Sequence, residues 1–168
     1  LFGAMTKVPW KGQKISSNHQ VFVATKAGQC VSMDQLISMQ VGFIAQLKGT
    51  LTKKRYTAAT VFVNHFSRLK CIHLMTKLVS EETMEAKRAF EHFAKQHGVH
   101  ILHYHCNNGQ FADNAFKNSC SAKGQCLTFC GVNAHFQNGI TEKAIGGLRE
   151  SARKQLLHAK QRWPQAVS

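Results

Sequence analysis

Eight side chains carry every carboxylate of this 168-residue chain, against 22 lysines and arginines. Acids this scarce each need an account. Glu81, Glu82, Glu85 and Glu91 fall on one predicted helix and read as its solvated face, and Glu150 can pair locally with Arg149 or Arg153. Asp34, Asp113 and Glu142 remain. Asp34 stands mid-strand between Met33 and Gln35, where aspartate is disfavoured and, if buried unpaired, costly. A carboxylate on a rigid strand suits a hard divalent cation, which takes oxygen ligands and compensates the charge. The plainer alternative is an edge-strand or outward-facing acid.

The formal charge of +14 favours a polyanionic partner, because each neutralised phosphate releases a condensed counterion. The cations are spread along the chain and form no low-complexity tail, which points to a folded binding surface. The bland alternative is a merely soluble basic protein. No apolar run approaches the roughly 20 residues that span a bilayer, and no signal peptide is visible, so no membrane partner is expected. Six cysteines (30, 71, 106, 120, 126 and 130) are read as free thiols in a reducing compartment. Cys126-x3-Cys130, with His103, His105 and Cys106 upstream, has plausible zinc spacing. Adjacent His105 and Cys106 would point to opposite faces of a strand, however, and there is no second tight pair, so structural zinc is not expected.

The elements that must hold these groups read as follows. Residues 1–28 are polar and basic, with Pro9, Gly12 and Gly28, and suggest an extended arm. Strands are predicted at 30–37, 57–63 and 68–76, with a connection over 38–55 and a turn at Asn64-His65-Phe66-Ser67. A helix over 80–98 has Ser80 as candidate cap, Glu81 and Glu82 in its first turn and Gly98 as its stop. A strand at 99–104, a short helix over 111–121 and a strand at 125–129 follow. The last helix, 140–160, is weakened by Gly146–Gly147, each costing about 1 kcal/mol relative to alanine. Three strands on short turns and then alternating units imply an α/β fold, a mixed five-stranded sheet flanked by helices.

Four stretches, in order, resemble copia-type retrotransposon integrases: Val31-Ser32-Met33-Asp34-Gln35; Val61-Phe62-Val63-Asn64-His65-Phe66-Ser67-Arg68; Asn107-Asn108-Gly109-Gln110-Phe111; and 131–143, from Gly131 through Gln137-Asn138-Gly139-Ile140-Thr141-Glu142 to Lys143. The resemblance covers roughly residues 28–164. It implies a ribonuclease H-like fold with an Asp, Asp, Glu triad. Asp34 matches the first acid and Glu142 the last. The middle acid normally stands just before the Asn-Gly of the third stretch; here that position is Asn107, at the family's interval from Glu142 (142 − 107 = 35). Asn64 occupies a turn position usually filled by aspartate. Ala144, Gly146 and Gly147 replace residues usually larger and often basic.

The resemblance implies two magnesium (or manganese) ions held by the residues at 34, 107 and 142, serving 3′-end processing and strand transfer, both in-line attacks on a phosphodiester. Asparagine offers a neutral oxygen where a charge is needed, so this copy is expected to be impaired. Asp113, in the following loop or helix, is not expected to substitute. Gln137 and Asn138 in the loop before Glu142, with Lys143, Arg149, Arg153 and Lys154 on the helix, are candidate DNA contacts. The implied partners are the element's DNA ends and target DNA, in a homo-oligomeric assembly reaching the nucleus by way of virus-like particles. By the same resemblance a zinc module would precede Leu1, residues 29–164 form the catalytic core, and 165–168 begin a C-terminal continuation, so the chain is read as a fragment. A catalytically inactive DNA-binding remnant, and a basic nuclease of the same fold, remain as alternatives.

Overall fold

The computed structural model describes residues 23–43, 55–131 and 135–164. The arm at 1–22, most of the predicted 38–55 connection and residues 165–168 lie outside these. The elements are β1 (Val31–Phe43), β2 (Arg55–Asn64), β3 (Lys70–Met75), α1 (Ser80–Gln96), β4 (His103–Cys106), α2 (Asn114–Ala122), β5 (Cys126–Phe129) and α3 (Gly139–Arg162), with 3₁₀ turns at Gln110–Ala112 and His135–Asn138. The five strands lie in the order β3-β2-β1-β4-β5. The first three are antiparallel, whereas β4 runs parallel to β1 and β5 parallel to β4. The mixed five-stranded sheet flanked by helices is the expected architecture.

Period-two alternation gives the sheet two distinct faces. On one, Val31, Met33, Phe62, Tyr104 and Cys106 pack against Ala86, Phe90 and Ala94 of α1 and Phe116 and Cys120 of α2. The Phe62 and Phe90 rings stack with centroids 4.4 Å apart. On the other, Val61 and Val63 of β2 meet Ala144 and Ile145 of α3, with Leu36 of β1 beside them.

Several local expectations are corrected. β1 continues past 37, with a register shift between Ile37 and Gly42, because Gly42 and Phe43 still find partners in Tyr56 and Arg55. β4 starts at His103, not at 99, since the backbone before it bonds elsewhere: Val99 N–H closes the end of α1 on Ala94 and Leu102 N–H donates to Gly28. Ser80 does not cap α1; Val79 holds that position, and the Ser80 hydroxyl donates to Asp113. Asp113 in turn accepts the Ala115 N–H and caps α2. Gly98, at φ +70°, ends α1 as expected.

Glu91 is not part of a solvated face. Lys87 beneath it is wholly buried, and its ammonium donates to Glu91 Oε1 (2.8 Å), Gln125 Oε1 (2.8 Å) and Ser119 Oγ (3.1 Å). The Tyr104 hydroxyl and Gln125 amide also donate to Glu91, and Lys123 closes the network from outside. Burial works to raise the Glu91 carboxyl, but hydrogen bonds from Lys123, Lys87 and Gln125 outweigh it and hold the group down to about 2, from an ordinary 4.5. A carboxyl depressed on folding stabilises fully above its unfolded value and loses that contribution as pH falls toward the folded one. Stability should therefore drop between about pH 4.5 and 2. Glu91→Gln should flatten that drop and cost about 3–5 kcal/mol at pH 7, because Lys87 is left buried without its counter-charge. Chemical denaturation across pH checks both.

Candidate functional site

The parallel register of β1 and β4 decides what meets where β4 ends. Val31 pairs with Tyr104, Ser32 with His105 and Met33 with Cys106, after which the ladder stops. The next step along each strand brings Asp34 beside Asn107, both on the face that α3 covers. Asn107 Nδ2 donates to Asp34 Oδ1 at 3.0 Å. The opposite amide orientation would set oxygen against carboxylate. Asn107 Oδ1 is buried and, among the described residues, has no hydrogen-bond partner. A buried acceptor left unmatched costs about 1–3 kcal/mol, so this atom stands out in the sheet.

α3 brings Glu142 to the same region. The start of the helix is fixed by Asn138, which is fully buried. Its Nδ2 donates to the Met33 carbonyl at 3.1 Å, taking up an acceptor where the β1–β4 ladder ends, and its Oδ1 accepts from the Thr141 hydroxyl at 3.0 Å. This corrects the expectation that Asn138 contacts DNA: a buried amide with both ends engaged cannot. Gln137 is exposed, but its Oε1 accepts the Gly131 N–H at 2.8 Å and so braces the loop. Glu142 is exposed in the first turn of α3. Cys130, just after β5, lies within electrostatic reach of Asp34 and Glu142: burial chiefly, then these two carboxylates, raises its thiol. Asp34 and Asn107 are thus in contact, and Asp34 and Glu142 both lie within electrostatic reach of Cys130, whereas Asp113 is committed to capping α2.

Beside them lies a histidine group that sequence reasoning treated only as zinc candidates. His105 Nδ1 and His103 Nε2 both meet the Thr128 hydroxyl, at 2.9 and 2.7 Å, and Cys130 Sγ is 3.4 Å from His105 Nε2. Burial lowers the pKa of both imidazoles. All six cysteines are free, and among the described residues no three His, Cys, Asp or Glu side chains gather as metal ligands.

The remaining candidate DNA contacts divide. Lys143 lies exposed beside Glu142. Arg149 and Arg153 line a largely apolar groove with Leu148, Leu156, Ile72 and Leu74. Lys154 pairs with Glu150 at 2.6 Å on the open helix surface, a contact of little energetic weight.

In donor chemistry alone, the hard oxygens of Asp34, Glu142 and the orphaned Asn107 Oδ1 suit one divalent cation. They do not suit two: a pair of adjacent dications needs more negative charge than two carboxylates supply, and the Asn107 amide already occupies an Asp34 oxygen.

No protein-family model and no curated protein sequence matches this chain. Solved structures do. The simian T-cell lymphotropic virus intasome, determined with a PP2A regulatory subunit, contains a chain that superposes with a TM-score of 0.59 at 18% identity, over 82% of this chain and 43% of that one. The HTLV-2 integrase catalytic core domain in complex with magnesium, in its dimeric form, gives 0.52 at 18% identity, over 83% and 77%. The catalytic core domain of BIV integrase gives 0.52 at 16%, over 80% and 73%. The chain therefore spans under half of the first of these and about three quarters of the isolated cores. The fold is ribonuclease H-like, that of retroviral integrase catalytic cores.

Asn138→Ala should cost about 1–3 kcal/mol, since it strands the Met33 carbonyl and the Thr141 hydroxyl. It should also loosen the first turn of α3, read as faster amide exchange there. A stability within a few tenths of a kcal/mol of the parent would remove Asn138 from this role.

Proposed function

We propose that the chain is the catalytic core of a copia-type retrotransposon integrase that binds DNA and whose joining chemistry is impaired at Asn107. The observation that carries the proposal is the Asp34–Asn107 contact at the C-terminal end of β4, where its parallel pairing with β1 stops, with Glu142 presented by α3. In open α/β sheets that end of the strands is where ligands bind. The net charge of +14 supports a nucleic-acid partner, and the four motif stretches support this family within the fold.

In this reading Asp34, Glu142 and the Asn107 amide oxygen would hold one magnesium or manganese ion, which supplies charge compensation at a phosphodiester. The chain's own residues do the positioning. Asn138 anchors α3, Gln137 braces the loop before it, and Lys143 and Arg149 offer charge to phosphates on either side of Glu142. The partners are the element's DNA ends and target DNA, in a homo-oligomer working in the nucleus. The HTLV-2 core, solved in dimeric and trimeric forms, supports assembly of like copies.

Asn107→Asp restores a third carboxylate. It should raise magnesium-dependent joining of a labelled oligonucleotide to a target duplex by on the order of a thousandfold, the equivalent of several kcal/mol of barrier at about 1.36 kcal/mol per tenfold. Equal, robust joining by the parent and variant chains would show that the middle acid position lies elsewhere. Cutting without joining by both would favour a nuclease.

A further inference from the structure

The β2–β3 turn and the first turns of α3 border a groove of about 550 Å³ that shares only Lys143 with the proposed site. Arg68, Lys70 and Lys143 rim it, from two separate elements, and all three are exposed. All eight acids of the chain lie among the described residues, and none forms an ion pair with any of the three. Between them lie Val63, Ala144 and Gly147, which carry no charge.

Two features show cost accepted at this place. Arg68 has φ +59°, a left-handed conformation that a side chain with a Cβ adopts at a penalty. The turn imposes it: buried Asn64 accepts the N–H groups of Phe66 and Ser67 on its side-chain oxygen and that of Arg68 on its carbonyl. Gly147 sits within a helix although an added Cβ would meet nothing within 4 Å. Packing does not call for glycine there, and its effect is to leave the groove open.

We propose that this groove seats the phosphodiester backbone of DNA. Three cations, none ion-paired with the eight acids, around uncharged Val63, Ala144 and Gly147 fit a run of phosphates, where a lone anion would leave most of the groove empty. Residues 140, 143 and 147 lie on the helix flank facing β3, while Glu142 lies on the other, toward Cys130. The groove therefore holds backbone beside the candidate site, and α3 separates the two. The inference rests on the reading of DNA as partner and adds where the strand runs.

The test compares two variants of equal charge in the 168-residue chain: Arg68→Gln/Lys70→Gln in the groove and Arg88→Gln/Lys95→Gln on α1, on the opposite face of the sheet. Fluorescence anisotropy of a short random-sequence duplex is followed against salt. The groove pair should lower the slope of log affinity against log salt by about 0.9 per cation removed, and the α1 pair should leave it unchanged. Gly147→Gln, which fills the groove without altering charge, should weaken binding at least several-fold. A groove pair with the parent's slope, or two pairs that fall equally, would overturn the groove while leaving DNA binding intact. A parent chain with no salt-dependent binding would overturn the DNA reading, and the groove with it.

Discussion

The parallel pairing of β1 with β4 is the constraint on which the rest of the site depends. Three register pairs place Tyr104, His105 and Cys106 against Val31, Ser32 and Met33, and the alternation of a strand then leaves residues 34 and 107 side by side on one face. A one-residue slip would turn Asp34 into the core beside Phe62 and Tyr104. The register is held by what lies on the other face: Val31, Met33, Tyr104 and Cys106 are all buried against α1 and α2. The hydrophobic layer thus fixes the polar geometry on its reverse side.

Charge is handled differently on the two sides of the sheet. Under α1, one buried lysine is matched by Glu91, Gln125 and Ser119 and by the faces of Tyr104 and Phe116, so the cation is fully compensated. On the α3 side the opposite holds. Two carboxylates and a neutral amide lie on this side, the Asn107 oxygen has no donor among the described residues, and Arg68, Lys70 and Lys143 pair with none of the eight carboxylates, although Lys154 pairs with Glu150. A buried acceptor left unmatched in a folded protein calls for an explanation, and a ligand is one. A divalent ion, bound together with a phosphodiester, would be such a ligand.

Much of this was legible in the residues. The eight predicted elements and the mixed sheet followed from alternation in 68–76, the β-favouring composition of 57–63, the 3–4 spacing of Ala86, Phe90 and Ala94, and glycine punctuation at Gly98. Asp34 and Glu142 stood out because acids are so few. The misses were tertiary. Glu91 reads as a surface acid until α2 and β5 close Lys87 beneath it. Asn138 reads as a loop amide until the end of the β1–β4 ladder offers it the Met33 carbonyl. Ser80 reads as a helix cap until Asp113 approaches from a distant segment. In each case the partner lies 25 residues or more away, beyond the reach of local pattern. The groove beside α3 was invisible for the same reason, although Arg68 and Gly147 could each be seen singly.

The central claim is that two carboxylates and an amide hold fewer metal ions than three carboxylates would. Manganese binding measures this directly, by anomalous scattering from crystals soaked in Mn²⁺ or by paramagnetic titration in solution. The account predicts no more than one ion at Asp34, Asn107 and Glu142 in this chain and two after Asn107→Asp. Two ions bound at these residues with Asn107 in place would contradict it.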